Sequence, residues 1–365
     1  MKILKARLSQ GFMMILLSIG MMNHVFIIPF LLQSSGRDSW ISVALSTLPL
    51  LAVTGMTYFV AKRMGDRSIH EWLSQEYGLG SAVLLRIVMS LFLYMLCFYT
   101  LFDTTTWAKI TFLTETPITV TTIVLLLLCL YAAIMGFKPI AVSAGLLLPF
   151  VVFLGFFIMT VNFQSKDYSQ LLPMLSKGWG PVFSGLANSC AGSFEIIMYL
   201  FIQPKLAKPA KAWQLYVLAF ALIGLTMGPL IGAITIFDPY EASRQMYPAY
   251  EEWRVATIGR YIAQTDFFSI YQWLSGAFIR IALALYFMVD IWNIKQKIPR
   301  IVSYVAAAGL ILLICLFGPN DINFLRFLKN LYFPISAVFL GAMTLVLFGL
   351  ALISSRKKGR ERHDT

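Results

Sequence analysis

An all-helical membrane protein with ten transmembrane helices is predicted by three features of this 365-residue sequence. The first is apolarity: 59% of residues are hydrophobic, 13% are charged and the mean hydropathy is +0.76. Soluble domains average about 45–50% apolar and about 25% charged. The second is the spacing of the charges, which leaves stretches near or above the ~20 apolar residues needed to cross a bilayer. The third is charge asymmetry. Loops on the side of the termini carry eighteen Lys and Arg, and those on the other side carry nine. A Lys/Arg excess marks the cytoplasmic side, so both termini are expected there.

The spans are placed at about 10–33, 39–61, 81–107, 118–136, 139–162, 181–203, 212–237, 269–293, 299–317 and 331–354. The first follows Lys2, Lys5 and Arg7; its apolar run is too long for a signal-peptide core and lacks a small-residue cleavage pattern, so it reads as a retained span. The third remains helix-compatible as far as Leu113. Residues 163–180 include "LLPMLSKGWG", where Gly and Pro read as turns. The polar loop 238–268 holds one amphipathic helix, about 248–263, which reads as an interfacial helix or as a surface for a partner. Pro29, Pro149, Pro229 and Pro334 fall inside spans and read as packing kinks or as hinges.

Ten spans divide into five plus five: a first repeat over 1–162, a second over 181–354 and a basic cytoplasmic tail over 355–365, all in one membrane domain. Spans one and six correspond if the halves are inverted. Both carry glycine beside polar residues near mid-span, in "SIGMMNH" (18–24) and "NSCAGSF" (188–194). Matching interruptions in the two halves point to a midplane binding site.

A carboxylate in the middle of span six costs about 2.5–3.5 kcal/mol on insertion scales and needs a reason. On a continuous helix Asn188, Gly192, Glu195 and Tyr199 share one face. Arg280, between Ile279 and Ile281 in span eight, needs a partner at that depth, and Glu195 is within reach. Such a pair fixes helix register, orients the ligand site or couples a proton; the residues alone leave all three open. Asp103, one turn after Tyr99 in span three, is a second partner for Arg280 or a wetted interfacial group. His24 and Asn23 read either as ligand contacts or as groups satisfied by backbone and capping. Ser189 and Ser193 suit bonds to carbonyls of their own helix. Asp290 and Asn293 read as a solvated end of span eight.

The net charge of +12 is mostly a topology signal with affinity for anionic lipid, and no basic aromatic module suggests nucleic acid. Cys97, Cys129, Cys190 and Cys315 each sit in apolar segments without a CxxC pair and read as packing thiols. Neither a catalytic set, a metal cluster nor a cofactor motif is visible, which makes an enzyme the weakest class.

Six stretches, in order, resemble one family: "SIHEWLSQEYG" (68–78), "TPI" (116–118), "AVSAGLLLPF" (141–150), "LLPMLSKGWGPV" (171–182), "SFEIIMYLF" (193–201) and "GAFIRIALALYF" (276–287). They resemble the spore germination permease family, the B subunits of endospore nutrient-germinant receptors in the amino acid–polyamine–organocation superfamily. The resemblance implies a LeuT-like 5+5 inverted repeat with helices one and six broken at the ligand site and spans three and eight facing it. It implies an amino acid or similar small nutrient as ligand, the spore inner membrane as setting, and an A-type membrane subunit and a C-type lipoprotein as partners. The ligand-binding candidates are then Gly20, Met21, Asn23, His24, Asn188, Gly192, Ser193 and Glu195, with Tyr99, Asp103, Gly276 and Arg280 on the facing helices. One departure stands out: the break in span one holds Gly20 alone, where permeases of the superfamily usually show two or more glycines. A transporter of the same superfamily and a non-binding scaffold subunit are the competing readings.

Overall fold

Apolar side chains point outward as well as inward along most of these helices, the pattern of a bundle whose solvent is lipid. A computed structural model describes residues 5–258, 264–318 and 320–361. Span one comprises α1 (Leu8–Met21), a π-helical turn (Met22–Phe26) and α2 (Ile28–Ser35). A 3-10 corner at Gly36–Asp38 leads into α3 (Ser39–Met64), and Gly36 at φ 54° takes the left-handed conformation that the corner requires. The short α4 (Ile69–Tyr77) and the long α5 (Leu79–Thr111) follow, then α6 (Ile118–Met135) and α7 (Phe137–Val161). Span six runs from α8 (Trp179–Ser193) through a 3-10 segment (Phe194–Met198) to α9 (Tyr199–Ile202). Beyond it lie α10 (Ala212–Phe237), the loop helices α11 (Pro239–Arg244) and α12 (Pro248–Val255), α13 (Phe267–Asp290) and α14 (Lys297–Phe317). The last span combines α15 (Asp321–Phe327), a second π turn (Leu328–Tyr332) and α16 (Phe333–Glu361).

Among the described residues, nine helical runs are long and apolar enough to cross a membrane. The first, Leu8–Met64, has 57 residues. At 1.5 Å per residue that is about 85 Å, nearly three times a hydrocarbon core of about 30 Å. The corner at Gly36–Asp38 splits it into spans one and two, giving ten crossings of a multi-pass integral membrane protein.

The interruption of span one has a local cause. Pro29 has no N–H to give Val25, the acceptor one turn back. The preceding turn widens instead, and Ile27 N–H donates to Met22 O at 3.0 Å, five residues back. Pro334 stands in the same relation to the second π turn. These two prolines therefore restart helices, whereas Pro149 and Pro229 lie inside α7 and α10. The break in span six is a tightening to 3-10 geometry, so neither break leaves an extended stretch of free backbone.

Burial sorts the helices. Windows of α6, α7 and α14 are 28%, 22% and 17% buried, against 83% for α13 and 78% for span six, so lipid contacts the former and protein surrounds the latter. The N-terminal segment is pinned to the end of span six by Ala6 N–H to Lys205 O (3.0 Å) and Ala207 N–H to Ala6 O (2.8 Å). The amphipathic helix expected over 248–263 forms over Pro248–Val255, and residues 259–263 lie outside the described structure. Its inner face is buried, with Tyr250, Glu252 and Trp253 packed on α10 and α7, while Arg254 and Val255 stay exposed on the outer face.

Candidate functional site

Arg280 on α13 is fully buried, and its guanidinium has five N–H donors to satisfy. All five find acceptors. Nη1 and Nη2 donate to Glu195 Oε2 and Oε1, each at 2.6 Å, in a bidentate ion pair. Nη1 also donates to Ser18 O (2.7 Å), Nε to Thr100 Oγ1 (3.2 Å) and Nη2 to the Tyr99 hydroxyl. The acceptors come from α1, α5 and the 3-10 segment of span six, so one side chain ties four spans together. A planar fork suits this task better than an ammonium would. Tyr99 in turn donates to Met22 Sδ at 3.3 Å, at the start of the π turn.

Little room remains around this network: a cavity of about 10 Å³ lies between Ser18, Glu195 and Arg280. Met22 is fully buried there, and Phe194 packs against Gly341. Asn23 Nδ2 donates to Ser193 Oγ (3.4 Å) and Leu222 O (3.3 Å), and its Oδ1 lies where a side chain on Gly192 would stand. Asn188 turns away to donate to Ser34 Oγ at 3.3 Å on α2. Asp103 does not pair with Arg280; it is buried and accepts from Tyr247 at 3.3 Å, the residue before α12. Asp290 is not a solvated end either. It takes Lys205 at 2.7 Å, Arg300 at 3.1 Å and the Tyr286 hydroxyl at 3.0 Å, closing the terminus-bearing end between spans six, eight and nine.

A much larger cavity lies beside span one, away from span six. A cavity of about 480 Å³ opens between α1 with its π turn, α7, α10, α12 and α13. Of the twelve residues singled out in sequence, Gly20, Met21, His24 and Gly276 line it, while Asn188, Gly192, Ser193 and Glu195 do not. The walls are chiefly aliphatic and aromatic, with His24, Lys166, Glu252 and Gln272 among the few polar groups. His24 Nδ1–H donates to Leu225 O at 3.1 Å, which leaves Nε2 as the free ring nitrogen. Gly276 lets α1 approach closely: a Cβ there would stand 3.2 Å from Met21 Cβ and Sδ.

The lid of this cavity is α12. Trp253 Nε1 donates to Gln272 Oε1 (3.1 Å), and Asn162 Nδ2 donates to Glu252 O (2.8 Å). Trp273 stacks on Trp107 with ring centres 4.2 Å apart. The Glu252 carboxyl presses on Gly232 so closely that a Cβ there would fall 2.6 Å from Oε1 and 2.7 Å from Cδ. Among the described residues its Oε1 has no hydrogen-bond partner, nor does Trp273 Nε1. Burial pushes the Glu252 carboxyl up to about 8, against a smaller downward pull from Lys166.

Sequence reasoning missed Ser18, Thr100, Glu252, Trp273 and Gly232. Ser18 acts through a carbonyl that carries no residue signal, and Thr100 is one of many span threonines. Glu252 was legible only as part of a polar loop, because the lid's docking depends on contacts from α7 and α10.

Three comparisons place this geometry among known proteins. Residues 7–322 match the family described as "Spore germination protein". Spore germination protein XB of Bacillus anthracis is 38% identical over 342 residues, 93% of this chain and 96% of that protein. Spore germination protein KB of Bacillus subtilis (strain 168) is 23% identical over 286 residues, 76% and 77% of the two. In fold, the chain is similar to MhsT in complex with L-phenylalanine, with a TM-score of 0.63, 14% identity and coverage of 96% and 92%. That likeness shows the fold, a LeuT-type architecture. The sequence match over most of its length, together with this architecture, makes the chain a member of the spore germination protein family.

Proposed function

We propose that this chain is the ligand-binding membrane subunit of a spore nutrient-germinant receptor. A small nutrient such as an amino acid enters the cavity beside the π turn of span one and favours one arrangement of the helix bundle. The change is passed to an A-type membrane subunit and a C-type lipoprotein in the spore inner membrane, with both termini of this chain cytoplasmic. The two five-helix repeats, 1–162 and 181–354, are the bodies that shift.

The observation that carries the reading is the position of the cavity, bounded by Gly20, Met21 and His24 where span one loses α-helical hydrogen bonding. A ligand shifts an equilibrium only by its differential affinity for the two states. A wall made of an interrupted helix offers two states of nearly equal energy. The full satisfaction of Arg280 supports a structural role for the Glu195 pair, which holds the bundle together while the cavity takes the ligand.

A nutrient panel screened by thermal shift on the purified protein tests the binding step; stabilisation by at least one nutrient is expected. Co-purification with the A and C subunits tests assembly. A transporter is the second reading, favoured by the likeness to MhsT in fold. Uptake of a bound nutrient into proteoliposomes decides for transport, and binding without uptake for the receptor.

A further inference from the structure

The geometry points to Glu252 as the ammonium-binding group of the 480 Å³ cavity, so that its ligand is a compact molecule with an ammonium on a branched or aromatic apolar body. This rests on the cavity being the ligand site proposed above, and adds what the ligand must carry.

Three observations converge. Leu16, Leu17, Val25, Leu148, Ile158 and Leu225 make an apolar chamber, which sets the body of the ligand. Glu252 is 6% exposed and lines that chamber with Oε1 unpartnered. A buried polar atom without a partner is costly, and an ammonium donor removes that cost. The third is Gly232. Any side chain at 232 would displace the carboxyl, so a glycine here gives the carboxyl its seat against α10.

The alternatives fit less well. Lys166 borders the cavity but is half-exposed and free to reach solvent, so it does not act as a buried anchor for a carboxylate. An anionic ligand would also meet Glu252. The charged and titratable groups around that carboxyl come from several elements. Lys166 and His24 line the cavity with it; α12 itself carries Glu251 and Arg254; Asp103 of α5 accepts from Tyr247 and Asp266, just before α13, accepts from Tyr250; α2, α7 and α10 carry no ionised side chain inside their spans apart from Lys138 at the far end of α7. With the carboxyl raised to about 8, the unliganded site at pH 7 is mostly protonated. An ammonium converts it to carboxylate, and the displaced proton passes to solvent.

Isothermal titration of the full chain in nanodiscs, with isoamylamine, leucine, isoamyl alcohol and isovalerate as probes, tests this. The four share one branched body and differ in the group at its end. Isoamylamine or leucine should bind at least tenfold more tightly than the alcohol or the acid, and binding at pH 7 should release a proton, seen as a heat that changes between phosphate and Tris buffers. Glu252→Gln keeps the shape and the neutral state of the unliganded site, so it should fold with unchanged or raised thermal stability and lose at least tenfold in ammonium affinity. Gly232→Ala should weaken the same ligands. Alcohol binding as tight as amine binding, or ammonium binding unchanged in Glu252→Gln, overturns the assignment while the cavity remains the ligand site. Absence of binding by all four probes and by the nutrient panel overturns both.

Discussion

Arg280 and Glu195 sit in the centre of the bundle with their charges cancelled and every guanidinium N–H occupied. Removing one member of a buried pair strands the other, at a cost of about 3–5 kcal/mol. Glu195→Ala should therefore unfold at markedly lower temperature, checked by thermal unfolding in detergent. Exchanging the charges, Glu195→Arg with Arg280→Glu, should not restore it, because Ser18 O would then face a carboxylate and two acceptors would meet. Recovery of wild-type stability by that double variant would show that the pair alone, without Ser18, sets the geometry. Glu252 gives a pH prediction. Its carboxyl is raised from the ordinary range, about 4.3, to about 8. Between these values the folded state holds a proton that the unfolded state has released, so stability falls as pH rises toward 8 and then levels off. Unfolding temperatures between pH 6 and pH 9 should decline in the wild type, and decline less in Glu252→Gln. Of the two acids, only Glu195 was legible in the sequence. Glu195 stood in an apolar run where any charge is conspicuous, whereas Glu252 sat among polar loop residues and owes its burial to docking.

The broken helices differ in how they break. Span one widens to π geometry because Pro29 removes a donor, and span six tightens to 3-10 geometry around Glu195. Sequence showed where each interruption falls, through glycine next to polar residues, but not its form, which depends on hydrogen-bond partners across the bundle. Pro29→Ala restores the N–H that Val25 lacks and should let the turn close into α-helix. Hydrogen exchange over residues 22–27 should slow severalfold, with weaker ligand binding at the adjoining cavity. No change in exchange would mean that packing of Met22 and Asn23, and not the proline, imposes the π turn. The helix α12 was read on amphipathic grounds as interfacial or as a surface for a partner. Its inner face meets Leu154 and Ile158 of α7 while Arg254 and Val255 stay exposed, a division that periodicity alone does not assign to lipid or protein.

At the scale of the whole molecule, the ten spans were legible, most of them to within a few residues, since hydrophobic length and loop charge are set by the bilayer rather than by packing; the last is the exception, starting at Asp321 where the sequence placed it at 331. Which helices face lipid was legible only in part: α6, α7 and α14 reach mean hydropathies of 2.5, 2.5 and 2.3 against 1.4 for α13 and 1.3 for span six, yet the well-buried run Leu8–Met64 stands at 2.1. The terminus-bearing end is shut by Asp290 with Lys205 and Arg300, and by the pairing of Ala6 with the end of span six. Asp290→Asn should loosen that end, and a cysteine placed at Leu206 should react severalfold faster with a maleimide than in the parent. Equal rates would leave the Ala6 pairing as sufficient closure. The Arg280 hub has a bearing on timing. Four spans that share a single cation cannot drift apart by degrees, since the smallest separation must sever ion pair and carbonyl bond together. In the receptor role proposed above, wiring of this kind makes the response all-or-none.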